Sequence, residues 1–193
     1  MNRHQSRWEN IHKNLTYGKE LPEPLPAFWK RCYIKGIDPE TNTFKQYSPE
    51  EFKKIKEDSV KIYAYSNRFL LQMMNYIHNP QLGFALFDKN GCLLKLYGSQ
   101  EFKDWCSLQN IAPGTDWSEE SVGANAVSIG LETKRTLAVM GSENFCRALI
   151  DTAVYFSPFI IDDDSTTGEA IIFGGVALIV PYEKRNPDYL MMV

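Results

Sequence analysis

The feature that most narrows what this chain can fold into is its longest apolar run, Ile171-Ile172-Phe173-Gly174-Gly175-Val176-Ala177-Leu178-Ile179-Val180. Ten residues are too few for a membrane-spanning helix, which needs about 20. The run therefore predicts the most buried strand of a sheet, with Gly174-Gly175 marking a bulge or a close backbone approach. Partner strands are legible upstream. Leu82–Asp88 alternates, with Phe84 and Leu86 on one face and Ala85 and Phe87 on the other. Asp88-Lys89-Asn90-Gly91 is a hairpin turn, because Asn-Gly supplies the positive φ such turns need, and Cys92–Tyr97 pairs back. Ala153–Ile161 reads as a further strand, with Pro158 at its end or on an edge.

Helices fill the rest. Ser48-Pro49-Glu50-Glu51 combines a Ser N-cap, Pro at the first helical position and a capping-box Glu. Apolar or small residues then recur at alternating three and four: Phe52, Ile55, Ser59, Ile62, Ser66, Phe69, Met73, Tyr76. The spacing predicts one helix over 49–78, roughly 45 Å long. Only one end of such a rod can lie on a small sheet. The other end needs cover from the segment Trp8–Ile34 or from the same helix of a second copy, so a homodimer through the long helix is expected as an alternative. Residues 1–17 predict a short helix with Trp8, Ile11 and Leu15 on one side, and Leu21–Pro26 predicts an extended connector. Gln100–Leu108 and Cys146–Ile150 read as further helical pieces, and Pro181–Val193 as an element that starts and stops. This order predicts an α+β fold, an antiparallel sheet flanked by helices. Residues 1–47 form an N-terminal helical and extended segment, and 48–193 a domain whose sheet core is 82–180.

The stretch Asn110–Phe145 concentrates special residues. Ser118 is a good N-cap followed by Glu119-Glu120 at the positive end of a helix dipole. Gly123 and Gly130, seven apart, are expected on one helix face beside Ala124, Val127, Ser128 and Leu131. The run WSEESVGANAVSIGL followed by MGSENF resembles the signature of the GAF sensor domain in sigma-54-dependent transcriptional activators, the type that regulates acetoin and dihydroxyacetone operons. Ala124 stands where those domains usually carry Thr, and Asn144 where they carry His. A second match, Trp29-Lys30-Arg31-Cys32 leading to Gly36-Ile37-Asp38-Pro39, resembles the segment that precedes the same domains. Trp29 and Arg31 are read there as a helix docked on the domain.

The resemblance implies a GAF fold and a cytoplasmic, ligand-sensing regulatory domain. It would control an AAA+ ATPase and a helix-turn-helix DNA-binding domain that this chain does not contain. An unknown small-molecule effector is the implied partner, and no cofactor is expected. Trp117, Glu119, Asn125, Glu143 and Phe145 are expected around one concave site against the sheet faces of Phe84, Leu86 and Tyr155. For Glu119 and Asn125, local backbone capping is the competing reading. Two other functions stay open: a thiol enzyme of the GAF type that reduces free methionine sulfoxide, which needs Cys92, Cys106 and Cys146 to converge, and a protein-interaction module without a small ligand.

Several classes are disfavoured. A formal charge of −3 and the lack of a basic recognition helix argue against direct nucleic acid binding. No phosphate-loop motif occurs, so ATP hydrolysis is not expected. The four cysteines show no metal or C-x-x-C spacing, and His4, His12 and His78 are too scattered for a metal site. Asp162-Asp163-Asp164 with Ser165–Gly168 reads as a solvated loop, lacking the ligand spacing of a calcium loop.

Overall fold

A computed structural model describes residues 3–75, 79–161 and 171–193. Tyr76, His78 and the Asp162–Gly168 loop lie outside the described residues. Three helices come first, α1 (Arg3–Asn14), α2 (Tyr17–Glu20) and α3 (Leu25–Ile34). A short strand β1 (Lys45–Gln46) leads into α4 (Pro49–Asp58) and α5 (Val60–Met74). The hairpin β2 (Gly83–Asp88) and β3 (Leu93–Tyr97) precedes α6 (Gln100–Leu108), β4 (Thr115–Asp116), α7 (Glu119–Val122) and α8 (Ala126–Thr133). Strands β5 (Leu137–Met140), β6 (Thr152–Ile161) and β7 (Ile171–Pro181) follow, with short 3-10 turns at Gly141–Glu143, Arg147–Leu149 and the C-terminus.

Five strands form one antiparallel sheet in the order β3-β2-β7-β6-β5, and β1 pairs with β4 in a separate ribbon. The long apolar run is the central strand, as its composition predicts. Gly174 has φ +151 and lies where the β6–β7 register shifts between Phe159 and Ile160, so the expected bulge is present. Pro158 sits beyond the end of β5, where β6 has only β7 as a neighbour, so its missing N–H costs no ladder bond on that side. The fold class expected from the sequence, an antiparallel sheet flanked by helices, is the one found.

The sheet separates two cores. Ala85, Phe87, Val154, Phe156, Ala177 and Ile179 face the motif stretch, together with Trp8, Ile11, Leu25 and Trp29 from the N-terminal helices. Phe84, Leu86, Tyr155, Val176, Leu178 and Val180 face the other way, toward Ile62 and Leu70 of α5. We call these the motif face and the α5 face.

Two expectations are corrected. The single helix over 49–78 is two helices that meet at Ser59, whose φ of −96 and ψ of 10 leave the helical region. Ser59 N–H is shared between the carbonyls of Ile55 and Lys56, so the ladder tightens and stops there. The three-and-four seam runs unbroken through the junction, which is why periodicity hides it. Of the expected seam, Ser59, Ile62 and Ser66 are buried on the α5 face, but Phe69 is 55% exposed and its neighbour Leu70 is the buried residue instead, while Trp8–Ile34 packs on the opposite face. Nor do Gly123 and Gly130 share a helix. Gly123 has φ +64 and separates α7 from α8, and a Cβ there would lie 2.5 Å from the Phe145 ring.

Candidate functional site: an aromatic clamp on the motif loop

The motif loop runs from the end of β5 through Gly141–Glu143 to Phe145, and local bonds hold its shape. Met140 N–H donates to Glu143 Oε2 at 2.9 Å, and Phe145 N–H to the Ala124 carbonyl at 3.0 Å. Burial raises the Glu143 carboxyl above its ordinary value. Asn125 links the neighbouring turn. Its Oδ1 caps α8 by accepting from Val127 and Ser128, and its Nδ2 donates to the carbonyls of Trp117 and Gly123. Trp117 is fully buried, stacked on Phe44 at 4.9 Å, with its Nε1–H donated to Thr115.

Three ring N–H groups from the N-terminal helices close on this loop. Trp29 Nε1 donates to the Glu143 carbonyl at 3.1 Å, and Trp8 Nε1 to the Asn144 carbonyl at 3.0 Å. His12 Nε2 reaches the Phe145 carbonyl at 3.0 Å. A carbonyl can only accept, so Nε2 carries the hydrogen and the bare Nδ1 accepts from the Tyr33 hydroxyl at 2.5 Å. The Phe145 ring enters the same cage, edge-on to His12, Trp29 and Tyr33 at 5.1–5.3 Å. Burial lowers the His12 pKa to about 4 and raises Tyr33 to about 12, which keeps both neutral.

A charged cluster fastens α3 beside the clamp. The buried Glu119 carboxylate accepts from Arg31, whose Nε lies 2.9 Å from both of its oxygens, and from Lys35 at 2.9 Å. Arg31 also forks onto Glu132 at 2.6 and 2.7 Å, and Lys35 meets Glu120 at 2.7 Å. Glu132 and then Glu119 raise the Arg31 pKa, and Arg31 and Lys35 in turn lower Glu132 and Glu120.

One polar atom in the loop is left over. Asn144 is fully buried and its Nδ2 donates to the carbonyls of Gly141 and Leu149, both at 3.2 Å. Its Oδ1 has no hydrogen-bond partner among the described residues.

Of the five expected residues on this side, Glu143 and Phe145 belong to the motif loop, and Asn125 holds the Gly123 turn against which Phe145 packs. Trp117 is instead stacked on Phe44, and Glu119 is paired with Arg31 and Lys35. The polar groups among them are engaged in capping, ion pairs and local hydrogen bonds. Phe84, Leu86 and Tyr155 are not with them. They lie on the α5 face, and the sheet stands between. The assumption that one wall joins both sets is corrected: strand alternation assigns alternate residues to opposite faces, and the motif stretch covers the Ala85 and Phe87 side. Sequence reasoning also left out Trp8, His12, Tyr33 and Lys35. The available signal was an N-terminal segment holding several aromatic N–H and O–H donors, which need buried acceptors once the rings are buried.

The thiols do not converge either. Cys92 belongs to the α5 face and Cys106 and Cys146 to the motif face. Burial pushes all three up to about 12, far from a reactive thiolate. Among the described residues, no group of three or more His, Cys, Asp or Glu side chains is placed to hold a metal ion, and no helix is long and apolar enough to cross a membrane.

No protein-family model matches the chain. It is similar to an uncharacterised 47.3 kDa protein of Rhodococcus erythropolis, 35% identical over 101 residues, covering 50% of this chain and 22% of that protein. It is also similar to a signal-transduction and transcriptional-control protein of Clostridium beijerinckii, 27% identical over 121 residues, covering 61% of this chain and 19% of that protein. The chain therefore spans about a fifth of the length of these curated relatives. Its fold resembles a chain in the crystal structure of the E. coli DhaR(N)-DhaL complex, with a TM-score of 0.77 and 21% identity over 87% of this chain and 56% of that one. At that identity the structural likeness carries the fold alone.

Proposed function

We propose that this chain is a GAF-type sensor domain of a cytoplasmic, sigma-54-dependent transcriptional regulator, controlling an ATPase and a DNA-binding domain carried elsewhere in the protein. In this reading residues 1–47 are the cap, 48–193 the sheet-bearing unit, and the Gly141–Phe145 loop the element that responds. The observation that carries it is the clamp: three ring N–H donors of the cap bound to successive carbonyls of the motif loop. An effector that reshapes the loop must change how the cap docks, and a two-state docking equilibrium is what a regulatory domain needs. Similarity to a transcriptional-control protein supports the regulatory role.

The effector chemistry follows from the loop. We take a small hydroxyl- or amine-bearing metabolite as the effector class, because Asn144 Oδ1 is a buried acceptor without a hydrogen-bond partner among the described residues. A thermal-shift screen of such metabolites, read on the intact chain and on Asn144→Leu, tests this. A binder at a hundredfold its dissociation constant stabilises by about 2.7 kcal/mol. Stabilisation of the intact chain, lost in the variant, is the expected result. A second reading, a protein-interaction domain without a small ligand, is favoured by the packing of Trp117 and Phe145, both fully buried. It gains if no metabolite shifts the melting temperature.

A further inference from the structure

The helices of the cap are held in different ways. Helix α3 is fastened by Arg31 and Lys35 to Glu119, Glu120 and Glu132, which belong to α7 and α8. Helix α1 is held on loops. Near its start the buried His4 donates through Nε2 to the Asp151 carboxylate at 3.0 Å and stacks on the Tyr182 ring at 4.2 Å. Further along, Trp8 and His12 bond the carbonyls of Asn144 and Phe145. The helix stops at Leu15, which has φ +54. Thr16 N–H donates back to the Ile11 carbonyl at 3.1 Å, so Leu15 takes the left-handed position of a helix stop, where glycine is usual. A branched side chain is strained in that region, and Leu15 is 60% exposed, so packing offsets little of the strain.

We propose that α1 is a lid hinged at Leu15, which lifts as a unit while α3 stays in place, and that its lifting opens the way to Asn144. Asn144 has no exposed surface, so a metabolite reaches its Oδ1 only when a cover moves, and α1 is the helix bonded to Asn144 itself. The use of this opening rests on the reading of Asn144 as the effector's contact; the hinge does not. With α1 lifted, the carbonyls of Asn144 and Phe145 lose Trp8 and His12, while Glu143 keeps Trp29. The loop is then released at one end and held at the other. Two effects compete. Leu15 is relieved when it leaves the left-handed region, which favours opening. Trp8 and Ile11 are fully buried, and exposing them keeps the closed state dominant.

Native-state hydrogen exchange of the 193-residue chain, with no metabolite added, tests the lid. The α1 amides and the Trp8 indole N–H are expected to exchange together, about a hundredfold faster than the amides of α3 and β7. His4→Ala should speed exchange of α1 about tenfold and leave β7 unchanged. Trp8→Phe keeps a ring but loses the N–H, and should speed it about fivefold. Leu15→Gly removes the strain from the closed state and should slow it about threefold. Exchange of α1 at the rate of β7 overturns the proposal. So does a His4→Ala or Trp8→Phe variant in which α1 and β7 speed up equally, or a Leu15→Gly variant in which α1 does not slow. Since no metabolite is present, a lid that fails here leaves the effector reading to its own screen, and a screen without a binder leaves the lid to the exchange rates.

Discussion

The two faces of the sheet are finished differently. On the motif face, aromatic rings from four separate elements meet with almost every polar group assigned, and the contacts join residues more than 100 positions apart. On the α5 face, the cover comes from a helix adjacent in sequence to the hairpin it packs on, and it stops short, leaving Tyr65 and Phe69 in water. The difference shows that burial here follows specificity rather than proximity. The distant cap is the tight one, and the local cover is the open one.

The sharpest way to break this comparison is to remove a ring from each side. Phe145→Ala should lower stability by about 3–5 kcal/mol, since it empties a fully buried cage. Denaturant unfolding of the variant checks this, and a loss below ~1 kcal/mol would mean the cap packs loosely. Next comes pH. His12 is held neutral in the fold, with its pKa lowered to about 4 from 6.5, so the unfolded chain takes up the proton first. Stability is therefore complete above pH 6.5 and declines as pH falls toward 4, by up to about 3 kcal/mol from this group. The difference between the intact chain and His12→Gln, measured by urea unfolding at pH 7, 5.5 and 4.5, isolates it from the carboxylates. A constant difference across that range would exclude His12 as its source.

Glu119→Gln should cost less, about 1–3 kcal/mol. The carboxylate is buried, but its partners Arg31 and Lys35 are partly exposed and keep Glu132 and Glu120. Thermal melts in low and high salt measure the loss and its screening. The smallest effect belongs to the α5 face. Tyr65→Ser and Phe69→Ser should change the unfolding free energy of dilute protein by no more than ~0.5 kcal/mol, as exposed positions do. A loss comparable to Phe145→Ala would erase the contrast.

Much of the sheet was legible because its signals are local. Asn90-Gly91 marks a turn wherever it occurs, and a run such as Ile171–Val180 has few ways to be buried. The break at Ser59 was not legible, because the seam satisfies helical spacing on both sides of it and only the shape of the underlying surface decides where the rod ends. The choice of face for the motif stretch was likewise hidden. Alternation separates Phe84 and Leu86 from Ala85 and Phe87, but which set meets Trp117 and Phe145 depends on where the chain returns after α6. The clamp lay furthest from reach: nothing near Trp8 in sequence indicates a carbonyl 136 residues away.

That separation has a consequence for synthesis on the ribosome. Trp8, His12 and Trp29 emerge early, yet the carbonyls they bind belong to residues 143–145. At roughly 5–20 residues per second, the N-terminal helices wait about 6–23 s after Trp29 appears before their docking site exists. Through that interval two indole rings and Phe28 are without their final cover. The growing chain thus carries the apolar side of α3, with Leu25, Phe28 and Trp29, without its final cover and open to holdase chaperones until residues 143–145 arrive.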